Sequence, residues 1–284
     1  MERLSSAEEV RQAVGEARRE GKRIALVPTM GALHEGHLSL VRAASLRADV
    51  VAVSIFVNPT QFAPGEDFEA YPRNIDRDLE LLGAEGAALA FTPATAAMYA
   101  PDARVTVDPG PMGAVYEGAS RPTHFRGVCT VVAKLFSIVQ PDLAFFGEKD
   151  YQQLAVVRLM TRDLDLPVKV VGCPIVREPD GLAMSSRNAY LSYEERRAAT
   201  VLYRALRSAE TLALARETDA AMIVEVMRET VAEEPLAALD YAAIIDPDTF
   251  APLDVFGAKP ARALIAAHVG ATRLIDNIAL EVCS

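Results

Sequence analysis

Two histidines three residues apart, His34 and His37, bracket Gly36 in the run Pro28-Thr29-Met30-Gly31-Ala32-Leu33-His34-Glu35-Gly36-His37. The chain has only four histidines (His34, His37, His124 and His268), so two of them in one short run point to chemistry. Imidazole donates or accepts hydrogen bonds and changes charge near neutral pH. The run follows the apolar stretch Ile24-Ala25-Leu26-Val27 and precedes helical apolar spacing over 38–48. A strand thus turns into a helix here, where backbone N–H groups lack partners and the helix dipole is positive. Such a turn is a seat for phosphate, and its glycines allow close approach of an anion. A helical zinc motif would space its histidines four apart, and no further Cys/His cluster lies nearby. The three-glycine dinucleotide fingerprint is also absent.

Four other segments carry polar groups of the same kind. In Ser54-Ile55-Phe56-Val57-Asn58-Pro59-Thr60-Gln61-Phe62, Asn58 and Gln61 each offer donors and acceptors, suited to a small substrate with hydroxyls and a carboxylate. Turn chemistry before Pro59 accounts for Asn58 equally well. In Phe145-Phe146-Gly147-Glu148-Lys149-Asp150-Tyr151-Gln152-Gln153, Lys149 brings a compact positive charge to a strand end. Gln153 lies four residues on and shares a face with Lys149 if both are helical; an ion pair with a neighbouring acid is the competing role for Lys149. Met184-Ser185-Ser186-Arg187-Asn188 offers two hydroxyls and a guanidinium for phosphate oxygens. Arg121-Pro122-Thr123-His124-Phe125-Arg126-Gly127 could add cations, although a Pro- and Gly-punctuated helix start explains it as well.

Positioning these groups requires a scaffold. Short apolar runs at 23–27, 50–56, 87–91, 143–146 and 168–171 read as strands, and 38–48, 75–82, 128–139 and 152–163 as helices. Strands rich in Val, Ile and Ala with little alternation predict a parallel sheet covered on both faces. The predicted fold is α/β, a doubly wound parallel sheet, with ligands at the carboxyl ends of its strands. Three of the polar segments fall there, after Val27, Phe56 and Phe146. The character changes near residue 178. Ser192-Tyr193-Glu194-Glu195 reads as a capping box, helices follow over 194–214 and 220–233, and three strand-like runs occupy 239–280. The expected division is 1–177, a nucleotide- and substrate-binding domain, and 178–284, a smaller α+β domain closing over the site.

Composition narrows the function classes. The chain has 284 residues, 51% hydrophobic and 24% charged, as expected of a globular protein. Its net charge of −10 argues against a general nucleic-acid binder. Cys129, Cys173 and Cys283 are distant and odd in number, which argues against a disulfide framework. No apolar run reaches the length of a membrane span and the N-terminal residues have no apolar signal core. The expected compartment is the cytoplasm.

Taken in order and spacing, segments 28–37, 54–62, 121–127, 146–153 and 184–188 resemble the pantoate–β-alanine ligase family, within the nucleotidyltransferase and class I aminoacyl-tRNA synthetase superfamily. The resemblance implies a Rossmann-like N-terminal domain and a two-step ligation. Pantoate attacks the α-phosphate of ATP to give pantoyl adenylate and pyrophosphate, and the amine of β-alanine then displaces AMP. It implies ATP contacts from Met30, Gly31, Ala32, Leu33, His34, Glu35, Gly36 and His37, with His37 as proton donor. Gly147, Glu148, Lys149, Asp150, Val176, Met184, Ser185, Ser186 and Arg187 complete the ATP site. His34, His37, Lys149 and Arg187 are the residues expected to act on the phosphates, and Gln61 and Gln153 to hold pantoate, with Gln61 also near β-alanine. Mg2+ accompanies the nucleotide. Asp76 and Asp78 are separated by Arg77, so no protein ligand to magnesium is assigned. The resemblance also implies a homodimer. Two readings compete: a nucleotidylyltransferase for a phosphorylated acceptor, which would need cations in place of Asn58, Gln61 and Gln153, and a non-catalytic nucleotide-binding module.

Overall fold

The structure, a computed structural model, describes residues 1–63, 65–257 and 259–281. Cys283 lies outside them. The chain forms two compact units, one of Met1–Glu148 with Gln152–Pro174, the other of Lys149–Tyr151 with the chain from Ile175 onward.

The first unit opens with β1 (Glu2–Leu4), α1 (Ala7–Arg19), β2 (Ile24–Thr29), α2 (Glu35–Ser45) and β3 (Val50–Ile55). It continues through α3 (Ile75–Ala84), β4 (Leu89–Phe91), α4 (Thr95–Met98), α5 (Glu117–Ser120) and α6 (His124–Val139), then β5 (Leu143–Gly147), α7 (Tyr151–Asp163) and β6 (Lys169–Cys173). The six strands lie in the order β1-β4-β3-β2-β5-β6, and every pair is parallel. The doubly wound sheet expected from the sequence is therefore present. Its order reverses between β2 and β5, the point at which such sheets bind ligands beyond their strand carboxyl ends. The turn that leads from β2 to both histidines lies there, and Gly147 ends β5 beside it.

Both faces of the sheet are buried because successive strand residues point to opposite sides. Ile24 and Leu26 join a core with Val10 and Val14 of α1 and Val128 and Val132 of α6. Ala25 and Val27 join a second core with Leu40 and Val41 of α2. This two-sided burial gives β2 and β3 their unbroken apolar runs.

Several elements differ from the sequence expectation for local reasons. β1 is only three residues long and is specified by its pairing with β4. α1 carries a capping box between Ser6 and Glu9 and was not expected. α6 starts at His124, not near 128, because Gly127 sits inside the helix. The helix expected over 194–214 is two helices, α8 (Tyr193–Ala198) and α9 (Val201–Leu214), the first held by the expected Ser192–Glu195 capping box.

The second unit adds α10 (Ala220–Ala232) and an antiparallel sheet of β7 (Ala237–Ile245), β8 (Ala261–Val269) and β9 (Thr272–Leu280) in sequence order. Leu202 and Leu206 of α9 and Ile223 and Met227 of α10 share a core with Ala263, Ile265 and Ala267 of β8. Among the described residues, no helix is long and apolar enough to cross a membrane.

Candidate active site

His34 is the N-cap of α2 and His37 its third residue. His34 Nδ1 accepts from Gly36 N–H at 3.2 Å and His37 Nδ1 from His34 N–H at 3.4 Å. The two imidazoles thus form a capping box, the role usually taken by Ser and Glu. An accepting Nδ1 carries no hydrogen, so this network assigns the hydrogen of each ring to Nε2 and makes that nitrogen a donor. The rings lie 4.1 Å apart, and both are half-buried. Glu35, the first residue of α2, pairs with Arg42, which also reaches Glu85 at 2.5 Å.

The sequence expectation of unpaired backbone donors in this turn is corrected at its centre. Ala32 N–H and Leu33 N–H donate to the two carboxylate oxygens of Asp78, at 2.9 and 2.8 Å. Gly31 N–H turns back to Thr29 Oγ1 at 3.3 Å. Asp78 is buried, with 2% of its surface exposed, while Asp76 is exposed. Both oxygens of Asp78 are thus bonded to the backbone of the turn. Gly31 has φ +85°, and a Cβ there would lie 2.9 Å from Asp78 Oδ2, so glycine is required by backbone and by space together. The sequence offered no local signal for this contact, since Asp78 lies on another helix.

Gln61 ends a 3-10 turn, Pro59–Gln61, after β3. Asn58 caps the turn, as expected for Asn before Pro, and does more. Its Nδ2 donates to Gln61 Oε1 and to Gly127 O, both at 3.2 Å, and its Oδ1 accepts from Tyr99 O–H at 2.9 Å. Gln61 Nε2 lies 2.8 Å from Met30 Sδ. The amide is therefore oriented, its oxygen toward Asn58 and its donors toward Met30. Gly127 lets α6 close onto this turn: a Cβ there would meet Thr60 O at 2.3 Å and Gln61 N at 2.7 Å.

The Gln61 carbonyl accepts from His124 Nδ1 at 2.8 Å and from Arg121 at 3.2 Å. A carbonyl only accepts, so His124 carries its hydrogen on Nδ1, and its Nε2 accepts from the Arg121 guanidinium at 3.3 Å. Arg121 in turn grips Glu66 with two bonds of 2.8 and 2.7 Å. Burial, and then the Arg121 charge, push the His124 imidazole down from 6.5 to about 4. The folded chain thus holds this ring neutral over a range where the unfolded chain protonates it. Its contribution to stability is complete above about pH 6.5 and declines as pH falls toward 4, by about 3 kcal/mol in all. Urea unfolding at steps between pH 7 and 5 should show a decline in wild type that His124→Asn, which keeps a donor for Gln61 O, lacks. A parallel decline in both proteins would remove His124 as its cause. Arg121 and Arg126 were cations to watch in the sequence; they are paired with Glu66 and Asp108.

Gly147 ends β5, and Glu148, Lys149 and Asp150 form a 3-10 turn before α7. Lys149 therefore precedes the helix that carries Gln153, and the two are not on one helical face. Gln153 is half-buried, whereas Gln152 is buried and used structurally, donating to Met112 O and Val115 O at 2.8 Å. Within the second unit, Lys149 Nζ sits 3.3 Å from Asp150 Oδ1, and Asn277 Nδ2 donates to Lys149 O at 2.9 Å. Tyr151 stacks on Phe250 with ring centroids 5.7 Å apart, and the Arg262 guanidinium lies 3.7 Å from its ring centroid.

Val176 and Met184 face each other across a tight hairpin, Met184 N–H donating to Val176 O at 3.0 Å. Arg177, which follows Val176 and pairs with Ala183 across the hairpin, holds Asp276 with bonds of 2.6 and 3.0 Å. Burial pushes the Asp276 carboxyl up, and this guanidinium pulls against it. Ser185 caps the following 3-10 turn, Ser186–Tyr190, accepting from Arg187 N–H at 3.3 Å. Asp78, Tyr99 and Asn277, which the sequence did not single out, thus support residues that it did: Ala32 and Leu33, Asn58, and Lys149.

Among the described residues, no group of three or more His, Cys, Asp or Glu could hold a metal ion. The first unit offers a pair of imidazole donors at a strand-to-helix turn and an oriented glutamine amide, groups that suit phosphate oxygens and a small polar acid. The second unit offers a lysine and an arginine on short turns, groups that suit phosphate.

The pantoate-beta-alanine ligase family model matches residues 2–279. A pantothenate synthetase of Rubrobacter xylanophilus is 54% identical over 284 residues, covering 98% of each chain. The crystal structure of pantothenate synthetase from Thermus thermophilus is 47% identical, with a TM-score of 0.93 over 98% of this chain and 99% of that one. The pantoate-beta-alanine ligase of Francisella tularensis, complexed with a β,γ ATP ligand and β-alanine, is 31% identical, with a TM-score of 0.79 over 98% of this chain and 97% of that one.

Proposed function

The chain belongs to the pantoate–β-alanine ligase family, and from that premise we propose how its residues divide the reaction. The enzyme joins pantoate to β-alanine with ATP through pantoyl adenylate, releasing pyrophosphate and AMP. In the first step a pantoate carboxylate oxygen bonds to the α-phosphorus as the bond to the β-phosphate oxygen breaks. Charge then grows on the α-phosphate oxygens and on departing pyrophosphate, where fixed donors and cations stabilise the transition state most.

His34 and His37 face that charge through their Nε2–H donors, and His37 is the proton donor. The capping box supports this reading, because it fixes both rings before substrate arrives. Lys149 and Arg187 supply positive charge to the phosphates. Gly147, Glu148, Asp150, Val176, Met184, Ser185 and Ser186 complete the nucleotide site together with Met30–His37. Gln61, its amide oriented by Asn58, binds pantoate and lies near β-alanine, and Gln153 also binds pantoate. In the second step the neutral amine of β-alanine attacks the acyl carbon and AMP leaves.

Magnesium enters with the nucleotide as part of the substrate, its hard oxygen ligands being phosphates and water. We further propose a homodimer, on the family resemblance, and a cytoplasmic location, supported by the free, buried thiols of Cys129 and Cys173.

The single observation that carries this assignment is the His-x-Gly-His turn at the sheet's reversal point in a chain matched by the family model from end to end. Pyrophosphate release from MgATP tests it. Release should require pantoate, and it should become sustained, with AMP and pantothenate, once β-alanine is added. The absence of pantoate-dependent release would sink the reading and redirect the search to phosphorylated acceptors.

A further inference from the structure

The turn that the sequence marks for a phosphate already holds an anion. Asp78 comes from α3, in the same unit, and its carboxylate receives Ala32 N–H and Leu33 N–H at 2.9 and 2.8 Å. Gly31 and Ala32 are consecutive left-handed residues, with φ of +85° and +50°. Positive-φ residues in a turn gather successive N–H groups into a concavity that binds anions. Such a seat normally takes a phosphate, sulfate or ligand carboxylate; here a side chain 2% exposed occupies it. Charge-assisted bonds to both oxygens hold it there.

The consequence lies in where a triphosphate can go. A phosphate oxygen and the Asp78 carboxylate cannot share one pair of N–H donors, since both are anions and only two bonds are offered. Beyond the seat, the rings of His34 and His37 offer donors fixed by the capping box. We propose that Asp78 is a positioning residue that fills the anion seat at 31–33, bars the ATP phosphates from it, and so directs them to the two histidines. The proposal deepens the ligase reading and rests on it. With Asp78 removed, the emptied seat would accept a phosphate upstream of the histidines. ATP would still bind, but in the wrong register for in-line attack, and a displacement of about 1 Å is enough to cost roughly 100-fold in rate.

Asp78→Ala separates this role from a merely structural one. Calorimetric affinity for ATP should be retained or tightened while pantoate-dependent pyrophosphate release falls roughly 100-fold. Formate, a carboxylate small enough for the vacated seat, should restore part of the rate and raise the thermal midpoint of Asp78→Ala but not of wild type. If Asp78→Ala does not fold, Asp78→Ser decides: its short side chain leaves the seat open, so the rate should fall with ATP affinity retained, and formate should restore part of it. The proposal is overturned if the variant that folds turns over like wild type, or if its ATP affinity falls along with its rate. It is equally overturned if formate neither rescues nor stabilises a folded Asp78→Ala. Failure of wild type to release pyrophosphate with pantoate would instead sink the ligase reading, whereas the formate-dependent thermal shift is independent of that result.

Discussion

Lys149→Ala lowers the rate of pantoate-dependent pyrophosphate release by 10²–10³, a loss of about 2.7–4 kcal/mol in transition-state stabilisation, without unfolding the protein. In the proposed division of the reaction, the charge is what this residue contributes. Its side-chain pairing with Asp150 spans 3.3 Å, with side chains 20% and 47% exposed, and pairs of that kind contribute only about 0–1 kcal/mol. The backbone is held separately, through the bond from Asn277 Nδ2 to the Lys149 carbonyl, and alanine keeps that bond. Thermal midpoint and rate should therefore come apart. Lys149→Arg should recover only part of the rate, because a planar fork does not occupy the place of a compact ammonium. Single-turnover pyrophosphate release measured beside a thermal melt checks this; a variant with the wild-type single-turnover rate would falsify the role.

The second large effect concerns His37, where the choice of replacement matters. Alanine would remove the imidazole and also half of the capping box, confounding a catalytic loss with a cap loss of about 0.5–2 kcal/mol. Glutamine at the third helical position keeps an acceptor for the His34 N–H. His37→Gln should therefore melt close to wild type and still lose 10²–10³ in single-turnover adenylate formation, about 2.7–4 kcal/mol, because its amide cannot serve as the acid. A folded His37→Gln with near-normal turnover would show that the ring serves the helix alone.

How much of this was legible in the sequence depended on whether a residue's role was local. His34 and His37 stood out through scarcity and spacing, and the doubly wound sheet through unbroken apolar runs. The role of Asp78 could not be read, because it serves Ala32 and Leu33 from 46 and 45 positions away. His124 looked like part of a helix start, and its bond to the Gln61 carbonyl spans 63 positions. Gly127 read as punctuation at a helix start and proved to be a helical residue whose missing side chain admits the backbone of Thr60. The Ser6–Glu9 capping box was a local signal that would have announced α1. The shared face expected for Lys149 and Gln153 assumed one continuous helix, but a 3-10 turn intervenes.

Lys149–Tyr151 belongs to the second unit although chain of the first flanks it on both sides. A gene segment beginning at Ile175 therefore does not encode a whole module. Its product would lack the ring that stacks on Phe250 and meets Arg262, and the carbonyl that Asn277 holds. Recombination between relatives at the obvious junction would divide those partnerships between two parents. A chimera that exchanges 149–151 together with the C-terminal segment would inherit them intact, so the triplet travels with that segment as one exchangeable block.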